Sequence, residues 1–147
     1  YMVMKYQIQE LMRAEKLNEE EEIIEELAVY NPLIPDGKNL KVTMMLEYPN
    51  AEERHDRLQQ LVGVEELISI EIDGHEKVYP IANEDLPRST DEKTSSVHFL
   101  RFEFDDDTVG SAKNGADWYI HCEHLAYKHT CGPLKREVTQ SLLRDFL

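Results

Sequence analysis

The stretch from Ser95 to Phe104 is largely β-branched or aromatic and is bounded by turn-forming residues, the strongest strand signal in the chain. Strand geometry sends His98, Leu100, Phe102 and Phe104 to one face and Val97, Phe99, Arg101 and Glu103 to the other. Both sets include apolar groups, so this strand is expected inside a sheet covered on both sides. Leu40, Val42, Met44, Leu46 and Tyr48 alternate with Lys41, Thr43, Met45 and Glu47 and predict a half-buried strand. Ile68, Ile70 and Ile72 alternate with Ser69 and Glu71, and Asp73-Gly74 follows as a two-residue hairpin turn. The return strand, about His75 to Ala82, contains Pro80, which cannot donate to a ladder and so places the strand at an edge. Trp118, Ile120 and Cys122 alternate with Tyr119, His121 and Glu123 in a last strand.

Between these stretches the period changes. Met4, Ile8, Leu11 and Met12 fall at helical spacing and predict a helix over 2–16. Asn18 is placed to cap a second helix, with Glu21 completing a capping box. Ile23, Ile24, Leu27 and Ala28 form its apolar stripe, and Tyr30-Asn31-Pro32 stops it. Asn50 and Glu53 open a third helix over 51–62, with Gly63 at its left-handed end. Asp105 to Asp107 cap a short helix ending near Asn114-Gly115. Gly132-Pro133 starts the last helix, striped by Leu134, Val138, Leu142 and Phe146. Residues 83–95 form a polar loop, long enough for a compact domain to be either mobile or functional. The whole reads as a single α+β domain over 1–147, with a helical part over 1–31 and a sheet part over 40–147. A mostly antiparallel sheet of about five strands is expected, with helices packed on it and a helical pair before it.

Charge narrows the partners. The chain has 147 residues and a formal charge of −14, which opposes binding to nucleic acid or to an anionic membrane surface. No apolar run approaches a membrane span and no secretory segment opens the chain, so a cytoplasmic protein is expected. Two cysteines make no disulfide framework. The chain opens on Tyr1 rather than an initiator Met, so a missing upstream segment is expected.

Four stretches carry a family resemblance: YQIQELMRAE from Tyr6 to Glu15, YNPLIP from Tyr30 to Pro35, Glu53-Arg54, and SVHFLRF from Ser96 to Phe102. They resemble an uncharacterised bacterial family known only as a domain of unknown function. The resemblance runs from about Tyr6 to Phe104 and continues weakly through His124 to Tyr127. It implies a small cytoplasmic protein, often encoded beside rubrerythrin-like and iron–sulfur oxidoreductase genes. It also implies a segment before the first helix. It brings no established reaction, and the two cysteines depart from its pattern.

Three groups of residues could carry chemistry. His121, Cys122, His124, His129 and Cys131 fall within eleven residues, and imidazole with thiolate suits zinc or iron. Their spacing matches no standard zinc pattern, and alternation sends His121 and Cys122 to opposite faces. His98 and Arg101 could form an anion or cofactor pocket on the sheet. Their structural alternative is a hydrogen-bonded core histidine and an arginine paired with Glu103 or a helix carboxylate. Gln7, Glu10 and Arg13 share a turn-to-turn line on the first helix; such pairs usually stabilise a helix surface, and their place in a resembling motif makes them a candidate partner-binding site. No G-x-S-x-G, P-loop or G-x-G-x-x-G is present, so hydrolase, NTPase and dinucleotide chemistry lack support. The leading expectation is an accessory or binding domain acting through a protein partner in a redox or oxidative-stress setting, with a homo-oligomer also open. The rival is a metal- or cofactor-binding protein, with enzymatic activity open, using His98 and the C-terminal cluster.

Overall fold

A turn forms at Asp73-Gly74, with Gly74 at φ +85° and the His75 amide donating to the Ile72 carbonyl at 2.9 Å, but Asp73 keeps a negative φ and the pairing beyond joins Ile70 to Val78, so it is not the expected two-residue hairpin. A computed structural model describes residues 2–17 and 19–146. It divides the chain into two units, Tyr1–Asp36 and Gly37–Leu147.

In the first unit α1 (Met2–Glu15) and α2 (Glu20–Tyr30) form the expected helical pair, followed by a short 3-10 turn at Asn31–Leu33. The α1 terminus is closed by Lys16, at φ +56°, while the Leu17 amide donates to the Met12 carbonyl at 3.1 Å. This is a Schellman closure with a residue other than glycine in the left-handed position. Asn18, the expected cap, lies outside the described residues. Glu19 occupies the N-cap position and makes no side-chain cap bond. Three acids in the first turn of α2 suit the helix dipole instead. Leu33 is exposed and Ile34 and Pro35 are half-buried.

The second unit holds two three-stranded antiparallel sheets rather than one sheet of five strands, and the class is α+β. The first is ordered β1 (Asn39–Met45), β4 (Val97–Glu103), β3 (Ile81–Ala82), with β4 central as its sequence implies. The second is ordered β2 (Ile68–Ile72), β5 (Trp118–His124), β6 (Tyr127–Cys131). The expected return strand over 75–82 is split. Val78 alone exchanges amide bonds with Ile70, at 2.9 and 2.8 Å, and the chain then crosses to pair Ile81 and Ala82 with Arg101 and Leu100. Pro80 lies between the two pairings, where a ladder donor is missing.

Three helices complete the unit. α3 (Ala51–Gln60) starts at Asn50, whose side chain accepts the Glu52 and Glu53 amides at 2.9 and 3.0 Å. α4 (Asp106–Lys113) is capped by Asp105, which accepts the Thr108 amide at 2.7 Å. α5 (Arg136–Leu142) leads through a 3-10 turn to Phe146. The main core gathers Leu40, Leu100 and Phe102 from the first sheet with Ile70, Ile72 and Trp118 from the second. Phe104, Trp118 and Phe146 form an aromatic triangle with ring centroids 5.4 to 6.4 Å apart. Leu61, Val64 and Cys122 form a smaller cluster.

β4 is covered on one face, not two. His98, Leu100, Phe102 and Phe104 are buried, whereas Phe99 is 37% exposed and Glu103 is exposed. The reason is charge: Arg101 and Glu103 keep the second face wet.

Candidate functional site

His98 is completely buried, yet neither ring nitrogen is idle. Its Nδ1 lies 3.0 Å from Asn83 Nδ2, and its Nε2 lies 2.9 Å from Thr94 Oγ1 and 3.0 Å from the Ser95 carbonyl. Asn83 Oδ1 accepts the Phe99 amide at 3.2 Å, which fixes the amide so that Nδ2 donates to Nδ1. Nε2 therefore carries the ring proton, as the Ser95 carbonyl also requires. From there the donors continue. Thr94 Oγ1 is 2.8 Å from Ser89 Oγ, and Ser89 donates a short bond to Glu65 Oε1. The Nε2 proton is shared between the Ser95 carbonyl and Thr94, and the Thr94 hydroxyl lies within reach of both Ser89 and, at 3.4 Å, Glu65 Oε2, so the network branches and converges on a buried carboxylate. Glu65 Oε1 stands 3.9 Å from His98 Nδ1, beyond hydrogen-bond reach. The loop over 83–95 supplies Asn83, Ser89 and Thr94, so its role is to close this network. Sequence reading missed Glu65, Ser89, Thr94 and Asn83; the signal within reach was the demand of a histidine on an apolar face for partners.

Arg101 does not join His98. The two residues lie on opposite faces of β4, as alternation requires, and do not line one pocket. Arg101 Nε and a terminal nitrogen each donate at 2.8 Å to the two oxygens of Glu84, and another nitrogen binds Glu103 closely. Glu103 also accepts Asn39 Nδ2 at 3.0 Å. This bidentate pairing with Arg101 holds the Glu84 carboxyl below the usual range and raises the guanidinium further.

The C-terminal cluster is dispersed by the β5–β6 hairpin. His121 Nδ1 meets Thr130 Oγ1 at 2.9 Å, and its Nε2 lies 2.8 Å from Glu71, off line for a hydrogen bond. His124 has both nitrogens on backbone: Nε2 donates to the Val62 carbonyl at 3.1 Å and Nδ1 accepts the Ala126 amide at 3.2 Å. Cys122 is buried against Leu61 and Val64, whereas His129 and Cys131 are exposed on β6. Among the described residues no group of three His, Cys, Asp or Glu side chains is placed to hold a metal ion. On α1, Glu10 and Arg13 bind each other at 2.8 Å, and Gln7 is exposed beside them.

The outer face of the second sheet carries a different group. Glu123 accepts from Lys77 at 2.8 Å and, by a short bond, from Tyr79. The Lys77 ammonium, then the Tyr79 hydroxyl, hold the Glu123 carboxyl below its usual range, and Glu123 raises both donors. Just beyond Glu123, at the same end of β5, the chain turns through Leu125-Ala126, and Leu125 is 99% exposed. Beside the turn lies a cleft of about 220 Å³ lined by Tyr48, Arg57, Gln60, Leu61, Ala126 and Tyr127.

The fold is shared. A solved structure of a novel protein of unknown function from Burkholderia pseudomallei K96243 is 43% identical and superposes with a TM-score of 0.81. The match covers 98% of this chain and 75% of that one. None of the curated proteins matches the chain. No described helix is long and apolar enough to cross a membrane. A family model described as "Protein of unknown function (DUF3501)" matches residues 1–146, and the chain belongs to that family.

Proposed function

We propose that this chain is a binding domain that acts through a protein partner, docked at the tip of the β5–β6 hairpin and the cleft beside it. Leu125 carries the reading. Turn residues are mostly small or polar, because their side chains face water. A leucine there, 99% exposed, has no folding gain to explain it. Tyr127, 53% exposed, adjoins it, and Tyr48 and Arg57 line the cleft behind. Exposed Leu and Tyr with an Arg at the rim make a suitable anchor set for a protein surface. The inward fate of His98 supports the same reading, because every hydrogen bond it makes is to the fold itself. The redox setting that the resemblance implies makes a redox protein the class of partner to test first.

A photo-crosslinking residue at Leu125 tests this in cells. It should trap one discrete partner, identified by mass spectrometry, and the same residue at exposed Lys113 should not. Equal trapping from both positions, or none from Leu125, would overturn the docking site.

A further inference from the structure

An open sheet edge beside the docking site extends that reading to the partner's chemistry, and the inference rests on it. β6 ends the order β2-β5-β6, and all five of its residues are exposed. The direction of its backbone groups is set by its neighbour. The Glu123 amide donates to Leu67, toward β2, so alternate residues Ile120, Cys122 and His124 turn their groups toward β6. Their partners Cys131, His129 and Tyr127 are thereby used, and the N–H and C=O groups of Lys128 and Thr130 face outward. Among the described residues nothing pairs with them. Two usual defences of an edge are missing: the register with β5 is continuous, without a bulge, and Pro133 comes only after the strand.

Charge selects the occupant. Tyr127 to Arg136 holds Lys128, Lys135 and Arg136 and not one acid, in a chain of net charge −14. A second copy paired antiparallel in the register centred on Lys128 would set that residue against its own equivalent, which is unfavourable. Lys128 and Thr130 share one face; Tyr127, His129 and Cys131 share the other. We propose that the outer edge of β6 takes an acidic extended segment of the partner as a fourth strand. Its acids would lie beside Lys128 and its apolar residues beside Tyr127, the side-chain alternation of strand addition.

The probe is a blocked octapeptide alternating valine and glutamate, with a valine–lysine peptide as counterpart. The valine–glutamate peptide should bind saturably and slow amide exchange at Lys128 and Thr130. N-methylating alternate peptide amides should abolish binding. Lys128→Glu, at an exposed position, should weaken the acidic peptide several-fold and admit the basic one. No saturable binding, equal binding of both peptides, or binding without slowed exchange at those two amides would overturn the proposal. So would slowed exchange that rises with protein concentration alone, which would assign the edge to a second copy. A partner trapped at Leu125 with no protection of β6 by the acidic peptide would leave the docking site standing and remove only the strand.

Discussion

Asn83 determines which nitrogen of His98 carries the proton. Its Oδ1 is held by the Phe99 amide at 3.2 Å, so its Nδ2 must donate to His98 Nδ1 at 3.0 Å. Asn83 does this from φ +52°, a left-handed conformation that asparagine tolerates better than most residues. Asn83→Asp replaces the donor with an acceptor facing another acceptor. The imidazole must then gain a proton at Nδ1 or lose the contact. Long-range nitrogen–proton spectra should show the Nε2–H tautomer in the parent and its loss in the variant. The same tautomer in both would sink this assignment.

His98→Ala removes a ring from a site with no exposure and leaves Asn83, Thr94 and the Ser95 carbonyl without their partner. The expected loss is about 1–3 kcal/mol from the stranded groups, with a cavity term added. Denaturant titration measures it. An unchanged midpoint would show that the network does not support the fold.

How much of this was legible depends on burial. β4 announced itself because one face is buried without interruption from His98 to Phe104, and burial is what writes alternation into a sequence. The Asn50 and Asp105 caps were legible because capping is a local backbone need. β6 was not legible: all five residues are exposed, so no apolar period marks it, and its His and Cys content suggested ligands instead. Glu65 was hidden for the opposite reason. Val64-Glu65-Glu66 looks like solvated turn, and only the loop over 83–95, folded back upon it, makes the middle acid a buried acceptor. His98 and Arg101 lie three residues apart, an odd spacing that places them on opposite faces of a strand, so their separation was readable from alternation alone.

The Glu123 cluster gives stability a pH dependence on both sides. Its carboxyl is depressed in the fold, so its contribution is present above the ordinary carboxylate range and is lost as pH falls through the folded value. Lys77 and Tyr79 are raised, so their contribution is present below the ordinary lysine and phenol ranges and is lost as pH rises through the folded values. Glu123→Gln should flatten both arms of a plot of melting temperature against pH. If the acid arm keeps its slope, other carboxylates control it.

The two thiols should separate cleanly by accessibility. Cys131 is exposed and Cys122 buried, and both are free. A thiol reagent should label Cys131 at once in the native protein and Cys122 only as the small cluster opens. Prompt labelling of both in buffer would contradict the packing of Cys122 against Leu61 and Val64.

Gly132 joins β6 to the last helix at a place where no side chain fits. Its φ is +148°, and a Cβ would meet Tyr119 Cδ1 at 2.5 Å and the Trp118 carbonyl at 2.9 Å. The ring could shift, but that carbonyl is backbone and accepts the Leu134 amide at 2.9 Å. Gly132→Ala therefore has to strain its own backbone and push β6 from β5. The expected cost is roughly 1–3 kcal/mol from the conformation alone, with the steric term added. Because the shift falls on the segment that leads to Phe146, it should also loosen the aromatic triangle around Trp118. Trp118 fluorescence would follow that loosening during denaturant unfolding, while amide exchange at Cys131 and His129 would report on the hairpin. A variant as stable as the parent, with both reporters unmoved, would mean that the chain leaves β6 by a route other than the one described.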